Sequence, residues 1–299
     1  MHIPDNFLST PVWAALDAVS LPAVALLARR ASRELDESRV PLLGVMGAFV
    51  FAAQMINFPV GIGTSGHLVG GALLACAFGP APAALVMTAI IATQAFVFQD
   101  GGVLALGANV FNMAIAGVLA AYLPLGIWGA TRRKQAIFAG AFLSVMVSGA
   151  LALFELLVSG IPMPRIAILV SFAVFAVGGL IEGAITVVVI QAIENLNPGF
   201  IQQKRPSNGP ALAVLSGAAL LLGSIGFVLA SSAPDGIEKI GIQLGISSKT
   251  NFRAPLADYT VGYFESPWMR RATASLAGLL LIYGVCLFAG RWIARQRSA

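Results

Sequence analysis

The sequence is short of charge, of cysteine and above all of histidine. Charged residues fill 10% of its 299 positions, where a soluble domain carries about 25%. That shortage excludes an ordinary soluble domain. With 58% apolar residues and a mean hydropathy of +0.87, the chain reads as a polytopic membrane protein. Its two cysteines, Cys76 and Cys286, lie in separate apolar stretches. They build no disulfide framework and read as small hydrophobes. Histidine occurs twice, as His2 and His67. No His-Glu-x-x-His motif can be written from them, and an intramembrane metalloprotease would have no histidine to spare for catalysis. The phosphate-binding pattern Gly-x-x-x-x-Gly-Lys-Ser/Thr is also missing, since Ser248-Lys249-Thr250 has Gln243 and Ser248 where glycines belong. Any ATP-driven work would need separate subunits. A cleaved leader is not expected, because Arg29-Arg30 follow the first apolar run instead of preceding it.

What is present divides into nine apolar runs. The expected spans are about 11–28, 40–58, 68–78, one ending at 98, one ending at 128, 135–158, 166–193, 210–230 and 272–293. The fold class is therefore an all-α polytopic membrane protein of about nine transmembrane helices, seven plus two. The third run is short for a span of about 20 residues. A polar, proline-containing stretch from Asn195 to Gly209 marks a boundary between residues 1–200 and 210–299. The formal charge of +5 gives no reason to expect nucleic acid, since the basic residues sit in short loops. With the N-terminus outside, the loops 29–39, 131–134 and 196–210 and the C-terminal tail hold 12 of the 18 Lys and Arg. That bias favours an extracytoplasmic N-terminus and a cytoplasmic C-terminus. It also puts both histidines on the outer side.

A free amine followed by histidine is a chelator. The Met1 amine, the His2 backbone nitrogen and His2 Nδ1 can all reach one ion, closing a five- and a six-membered ring. Ionising the amide needs a metal that prefers strong in-plane nitrogen donors, which points to square-planar Ni(II) or Cu(II). His67, in the glycine-rich turn Gly61-Ile-Gly-Thr-Ser-Gly-His67-Leu-Val-Gly-Gly71, can supply a fourth nitrogen. On position alone, a solvated terminal His2 and a packed, hydrogen-bonded His67 are the favoured readings.

Three motifs bear on that choice: the opening Met1-His2-Ile-Pro-Asp5-Asn-Phe-Leu-Ser9, the turn Ser65-Gly-His67-Leu-Val-Gly-Gly71, and Ala105-Leu-Gly-Ala-Asn109-Val-Phe-Asn112-Met-Ala114. Together they resemble the CbiM/NikM family, the substrate-binding components of energy-coupling-factor cobalt and nickel importers, over roughly the first 200 residues. The resemblance implies Met1, His2 and His67 as the ligands of a transported Ni2+ or Co2+. It also implies a transmembrane scaffold (T component) and cytoplasmic ABC ATPase subunits as partners, and a bacterial cytoplasmic membrane as the location. No prosthetic group and no enzymatic activity of the chain's own are implied. Beyond the linker, Pro234-Asp-Gly-Ile-Glu238 and the segment around Asp258 resemble the PDGLE domain, the NikN/CbiN-like accessory piece, with Ile237 in place of the usual leucine. The fused arrangement resembles nickel-type versions.

Several polar residues stay open at this stage. Asn109 and Asn112, three apart, share a helix face and are candidates either to support the imidazoles or to bond between helices. Asp17, Glu155 and Glu182 lie inside apolar runs, where acids are functional candidates by default. They motivate the alternative of a stand-alone, proton-coupled secondary transporter. The Gly44-x-x-x-Ala48-x-x-x-Ala52 face allows close helix approach, either within the chain or, as the resemblance implies, against the scaffold. Asp235, Glu238 and Asp258 read as a solvated loop more readily than as a calcium site.

Overall fold

In a bilayer every backbone N–H and C=O must be satisfied within its own segment, so long apolar runs become helices. The computed structural model describes residues 1–61, 63–196, 209–231, 233–246 and 253–295. The polar boundary stretch with Lys204 and Arg205, and the Ser248-Lys249-Thr250 triplet, lie outside the described residues. The elements are α1 (Thr10–Glu34), α2 (Val40–Gln54), a hairpin of β1 (Phe58–Gly61) and β2 (Thr64–Gly66), and α3 (Gly71–Phe78). Then come α4 (Pro80–Phe98), α5 (Leu106–Trp128), α6 (Arg133–Val158), α7 (Arg165–Leu196), α8 (Gly209–Leu229), α9 (Gly236–Leu244) and α10 (Pro267–Arg295).

The all-α, polytopic expectation holds, and the helices are uneven in length. Among the described residues seven helices are long and apolar enough to cross a membrane: α1, α4 to α8 and α10. The second and third expected spans are shorter. Helix α2 has 15 residues, because the chain leaves it at Met55 to enter the hairpin. Helix α3 has 8 residues, about 12 Å at 1.5 Å per residue, far below the ~30 Å of hydrocarbon. Its late start has a backbone cause. Gly70 takes a left-handed φ of +77°, and a side chain there would run into Val50. Helix α3 is thus a half-span that starts inside the protein.

The core lies around the short helices. Phe51, Leu42 and Met46 of α2, Leu73 and Leu74 of α3, and Met87, Ile90 and Ile91 of α4 are among the largest fully buried side chains. Helix α1 is peripheral, with Ser20 and Ala31 its buried residues. The α2 small-residue face is covered by the chain itself. A Cβ at Gly44 would stand 3.0 Å from the Tyr283 ring of α10, and Ala48 and Ala52 are buried. The α2 face therefore serves internal packing. The long segment between α8 and α10 is likewise no free loop. Ser65 of β2 donates its N–H to Pro234 O at 2.9 Å and its hydroxyl to Ala233 O at 2.6 Å, while Leu256 N–H bonds Val97 O at 2.9 Å.

Candidate metal centre

The first nine residues have no regular structure, yet five of them are buried: Ile3, Phe7 and Leu8 join the core, and His2 and Asp5 are buried with them. Buried backbone without a ladder needs other partners, and the turn after α4 and the start of α5 supply them. Asn109 works as a two-way clip, accepting from Ile3 N–H at 2.8 Å and donating to Ile3 O at 3.0 Å. Gly102 N–H adds a second bond to Ile3 O at 2.9 Å, and Leu104 N–H donates to Asp5 Oδ1 at 2.8 Å. The approach is so close that a Cβ at Gly102 would lie 2.6 Å from the Asp5 nitrogen.

Held this way, the terminus meets the His67 turn. The Met1 nitrogen lies 2.9 Å from His67 Nε2. Metal–nitrogen bonds of about 2.0 Å set adjacent in-plane nitrogens about 2.8 Å apart, so the pair is spaced for one ion. His67 Nδ1 donates to Leu68 O at 2.9 Å. A carbonyl can only accept, so Nε2 keeps its lone pair and faces the amine. Burial, then the ammonium of the terminus and His2, push the His67 pKa down to about 3. A neutral imidazole is the form that ligates. The His2 ring stacks on that of His67 with centroids 5.4 Å apart and planes 8° from parallel. His2 Nδ1 lies 3.2 Å from Asp100 Oδ1, and its buried Nε2 has no hydrogen-bond partner. A cavity of about 20 Å³ adjoins the amine, lined by Met1, His67, Val145, Phe175, Gly178 and Asp235 among others.

Two carboxylates flank these nitrogens. Asp235 Oδ2 accepts from the Met1 ammonium at 2.5 Å, while its Oδ1 caps α9 by taking the N–H groups of Ile237 and Glu238, each at 2.8 Å. Burial alone would raise the Asp235 pKa; the ammonium and the cap bonds hold it below the ordinary value. Glu238 completes the capping box by accepting Asp235 N–H at 3.0 Å, and burial plus the Asp235 charge raise its own pKa. On the other side, burial again works against Asp100, but His2 and the Tyr259 hydroxyl keep its pKa depressed. Tyr259 donates to Asp100 Oδ2 at 2.6 Å, and burial with the Asp100 charge raises the phenol well above its usual range.

Met1, His2 and His67 are thus brought together. The two asparagines divide. Asn109 supports the backbone of Ile3, and Asn112 donates to Glu155 Oε2 at 2.8 Å; neither reaches an imidazole. Residues Val110–Gly117 form π-helical turns, so the α-helical spacing that would align the pair ends between them. Asp17 accepts from Gly107 N–H at 2.7 Å, and Glu182 accepts from Val69 and Gly70 N–H at 2.6 and 2.8 Å. Asp235 is buried on the amine, not solvated, and the described residues hold no cluster of three or more His, Cys, Asp or Glu fit for an ion. Sequence reasoning missed Asp100 and Tyr259. It also missed the capping-box signal at Asp235 and Glu238, an acid followed three residues on by glutamate.

Comparison with known proteins gives a consistent picture. The family described as the cobalt uptake substrate-specific transmembrane region, CbiM, matches residues 2–200. A putative fused nickel transport protein NikMN of Archaeoglobus fulgidus is 32% identical over 94% of this chain and 95% of its own length. A probable fused nickel transport protein LarMN of Lactiplantibacillus plantarum is 31% identical over 95% and 97%. A crystal structure described as a truncated transition metal transporter superposes with a TM-score of 0.60 at 28% identity. It covers 65% of this chain and 99% of its own.

Proposed function

The chain belongs to the CbiM family of cobalt uptake substrate-specific transmembrane regions, and from that membership we propose that it captures a divalent transition metal, nickel before cobalt, for import. It is a multi-pass membrane protein. The ion is bound by the Met1 amine, the ionised His2 amide, His2 Nδ1 and His67 Nε2. The observation that carries this reading is the 2.9 Å approach of the Met1 nitrogen to the lone pair of His67. Asp100 lies against His2 Nδ1 in place of an ion, so binding replaces a proton on that nitrogen with the metal. Binding therefore releases protons. The ionised amide reduces the ion's charge from +2 to +1, and Asp100 and Asp235 supply opposite charge beside it. Nickel is favoured because a nitrogen plane containing an ionised amide suits it, and because two fused relatives are described as nickel transport proteins.

The domain reading follows the same line. Residues 1–200 form the metal-capturing part and 210–299 the accessory part. The accessory part folds over the site through Asp235 and Tyr259, and its α10 covers the α2 face. ATP hydrolysis belongs to separate ABC subunits working through a membrane scaffold. The N-terminus faces outward, where the cargo arrives, and the C-terminus lies in the cytoplasm. The acids a secondary transporter would use for protons are engaged elsewhere: Asp17 and Glu182 hold backbone N–H groups and Glu155 holds Asn112.

The test is Ni(II) and Co(II) binding by purified protein with its native, untagged terminus. It is compared with His2→Ala, His67→Ala and a form extended by one residue before Met1. All three are expected to lose stoichiometric binding. The extension keeps both imidazoles, so normal binding by that form would remove the amine from the ligand set and sink the terminal chelate.

A further inference from the structure

Helix α3 connects the His67 turn to the opposite end of the bundle, and both of its ends are held by charged side chains. At its start the Glu182 carboxylate of α7 takes the N–H groups of Val69 and Gly70 through separate oxygens, at 2.6 and 2.8 Å. At its finish the Arg39 guanidinium donates to Ala77 O at 2.8 Å and lies 5.2 Å from the Phe78 ring centre. An anion at the N-terminus and a cation at the C-terminus both match the helix dipole. Glu182 is fully enclosed, with 1% exposure, and no ion pair to it is formed among the described residues. An acid buried without a cation is costly to keep, and neither the chelate nor its two flanking carboxylates uses it.

The same dipeptide is gripped from its other side. Gln54 Nε2 donates to Val69 O at 2.6 Å, and Gln94 Nε2 in turn holds Gln54 Oε1 at 2.9 Å. Val69 therefore has its N–H fixed by α7 and its C=O fixed by α2, two residues from His67. His67 Nδ1 is tied to Leu68 O, inside the bracketed stretch. The direction of Nε2 is thereby set by the placement of the Leu68–Gly70 backbone.

We propose that Glu182 is a positioning residue for metal capture: by bracketing Val69 and Gly70 against Gln54 it fixes where His67 Nε2 points, and so how well the fourth nitrogen closes the plane. The proposal rests on the chelate reading given above. Glu182 touches no ligand atom and acts only through the turn. Outer groups that orient a metal-binding imidazole change affinity by about 10- to 100-fold when removed. A glutamine at this position would offer one acceptor oxygen where two N–H groups need one each, and its own amide would face the second N–H.

The experiment is Ni(II) titration of the untagged full-length protein carrying Glu182→Gln, Glu182→Asp or Glu155→Gln, with the visible absorption band of bound Ni(II) recorded for each. Glu182→Gln is expected to weaken binding about 10- to 100-fold and to shift or broaden the nickel band. Glu182→Asp, which keeps the charge but withdraws it by one methylene, should fall between it and the wild type. Glu155→Gln, at a second buried acid, on α6, that does not touch the turn, should bind as the wild type does. A merely structural acid would alter yield or melting temperature but leave the band of the folded fraction in place. Wild-type affinity and an unchanged band in both Glu182 variants would overturn the positioning role. If the wild type itself binds no metal, the chelate reading has failed instead. Should Glu182→Gln not fold, the aspartate variant decides alone by the same two readouts.

Discussion

The candidate metal centre has two ends, the N-terminal segment on one and the accessory segment on the other, and they are held there by different means. The N-terminal nine residues have no regular structure, and their fixation is distributed: Asn109, Gly102 and Leu104 all grip the backbone or side chain between Ile3 and Asp5. Residues 233–246 arrive as a capped helix and residues 253–259 as a tight turn, and they reach the centre with one carboxylate, Asp235, and one hydroxyl, Tyr259. In the proposed chelate the first end supplies three of the four nitrogens and His67 the fourth, while the second end supplies groups that balance or steady them. Damage to the first should therefore abolish capture, whereas damage to the second should grade it.

The hardest blow on the first end is Gly102→Ala. Its Cβ would sit 2.6 Å from the Asp5 backbone nitrogen, and backbone cannot swing aside as a side-chain tip can. Overpacking of this kind costs about 1–3 kcal/mol, which corresponds to roughly 5- to 150-fold in affinity. Because the displaced segment carries two of the proposed ligand residues, the upper part of that range is expected in a Ni(II) titration. Binding within a factor of about two of wild type would mean that the terminus reaches its site by some route other than the turn at 99–104.

On the second end, Asp235→Asn keeps an oxygen to cap α9 but removes the charge facing the amine. Bonds to charged groups contribute about 1.5–3 kcal/mol, so a loss near 10-fold in metal affinity is expected. The pH response of the metal-free protein gives an independent check. The Asp235 pKa lies below its ordinary 3.8 in the folded chain. Its contribution is therefore present above about 3.8 and fades as pH falls through the folded value. Thermal unfolding followed from pH 6 downward should show the wild type losing more stability than Asp235→Asn. Parallel curves would detach Asp235 from the amine.

The unequal roles of the two ends explain what could be read in advance. Met1, His2 and His67 were legible because a terminal amine beside a histidine is chelating chemistry in itself, and because rare residues in a specific pattern carry a family signature. The helices followed from run length. Run length misled at residues 55–58 and 68–70, where the Met55 exit ends one helix and the left-handed Gly70 delays the start of the next inside apolar sequence. Asn109 was singled out correctly as a buried amide needing partners, but its partner is a main-chain segment 106 residues away, and one-dimensional spacing does not encode that distance. Asp100 and Asp235 were hidden for a related reason. Each lies in a polar, turn-forming stretch that reads as solvent-facing, and each is drawn into a contact across the fold, Asp235 buried and Asp100 half-buried.

The smallest expected effect tests the finest part of the comparison. Tyr259 donates to Asp100 Oδ2 at 2.6 Å, and Asp100 Oδ1 is the oxygen near His2 Nδ1, so the hydroxyl lies two contacts away from a ligand nitrogen. Its ring also stacks on Phe98 with centroids 4.6 Å apart, and this contact survives in Tyr259→Phe. The substitution thus isolates one hydrogen bond to a charged acceptor whose other oxygen remains engaged. Such a bond lies at the low end of about 1.5–3 kcal/mol, and indirect action through a carboxylate passes on a fraction of it, giving about a threefold weaker Ni(II) affinity. Combined with His2→Ala, the hydroxyl should have nothing left to act on, so the double variant should bind no worse than His2→Ala alone. A further additive loss would place Tyr259 on the accessory segment's own stability and cut the link from that segment to His2.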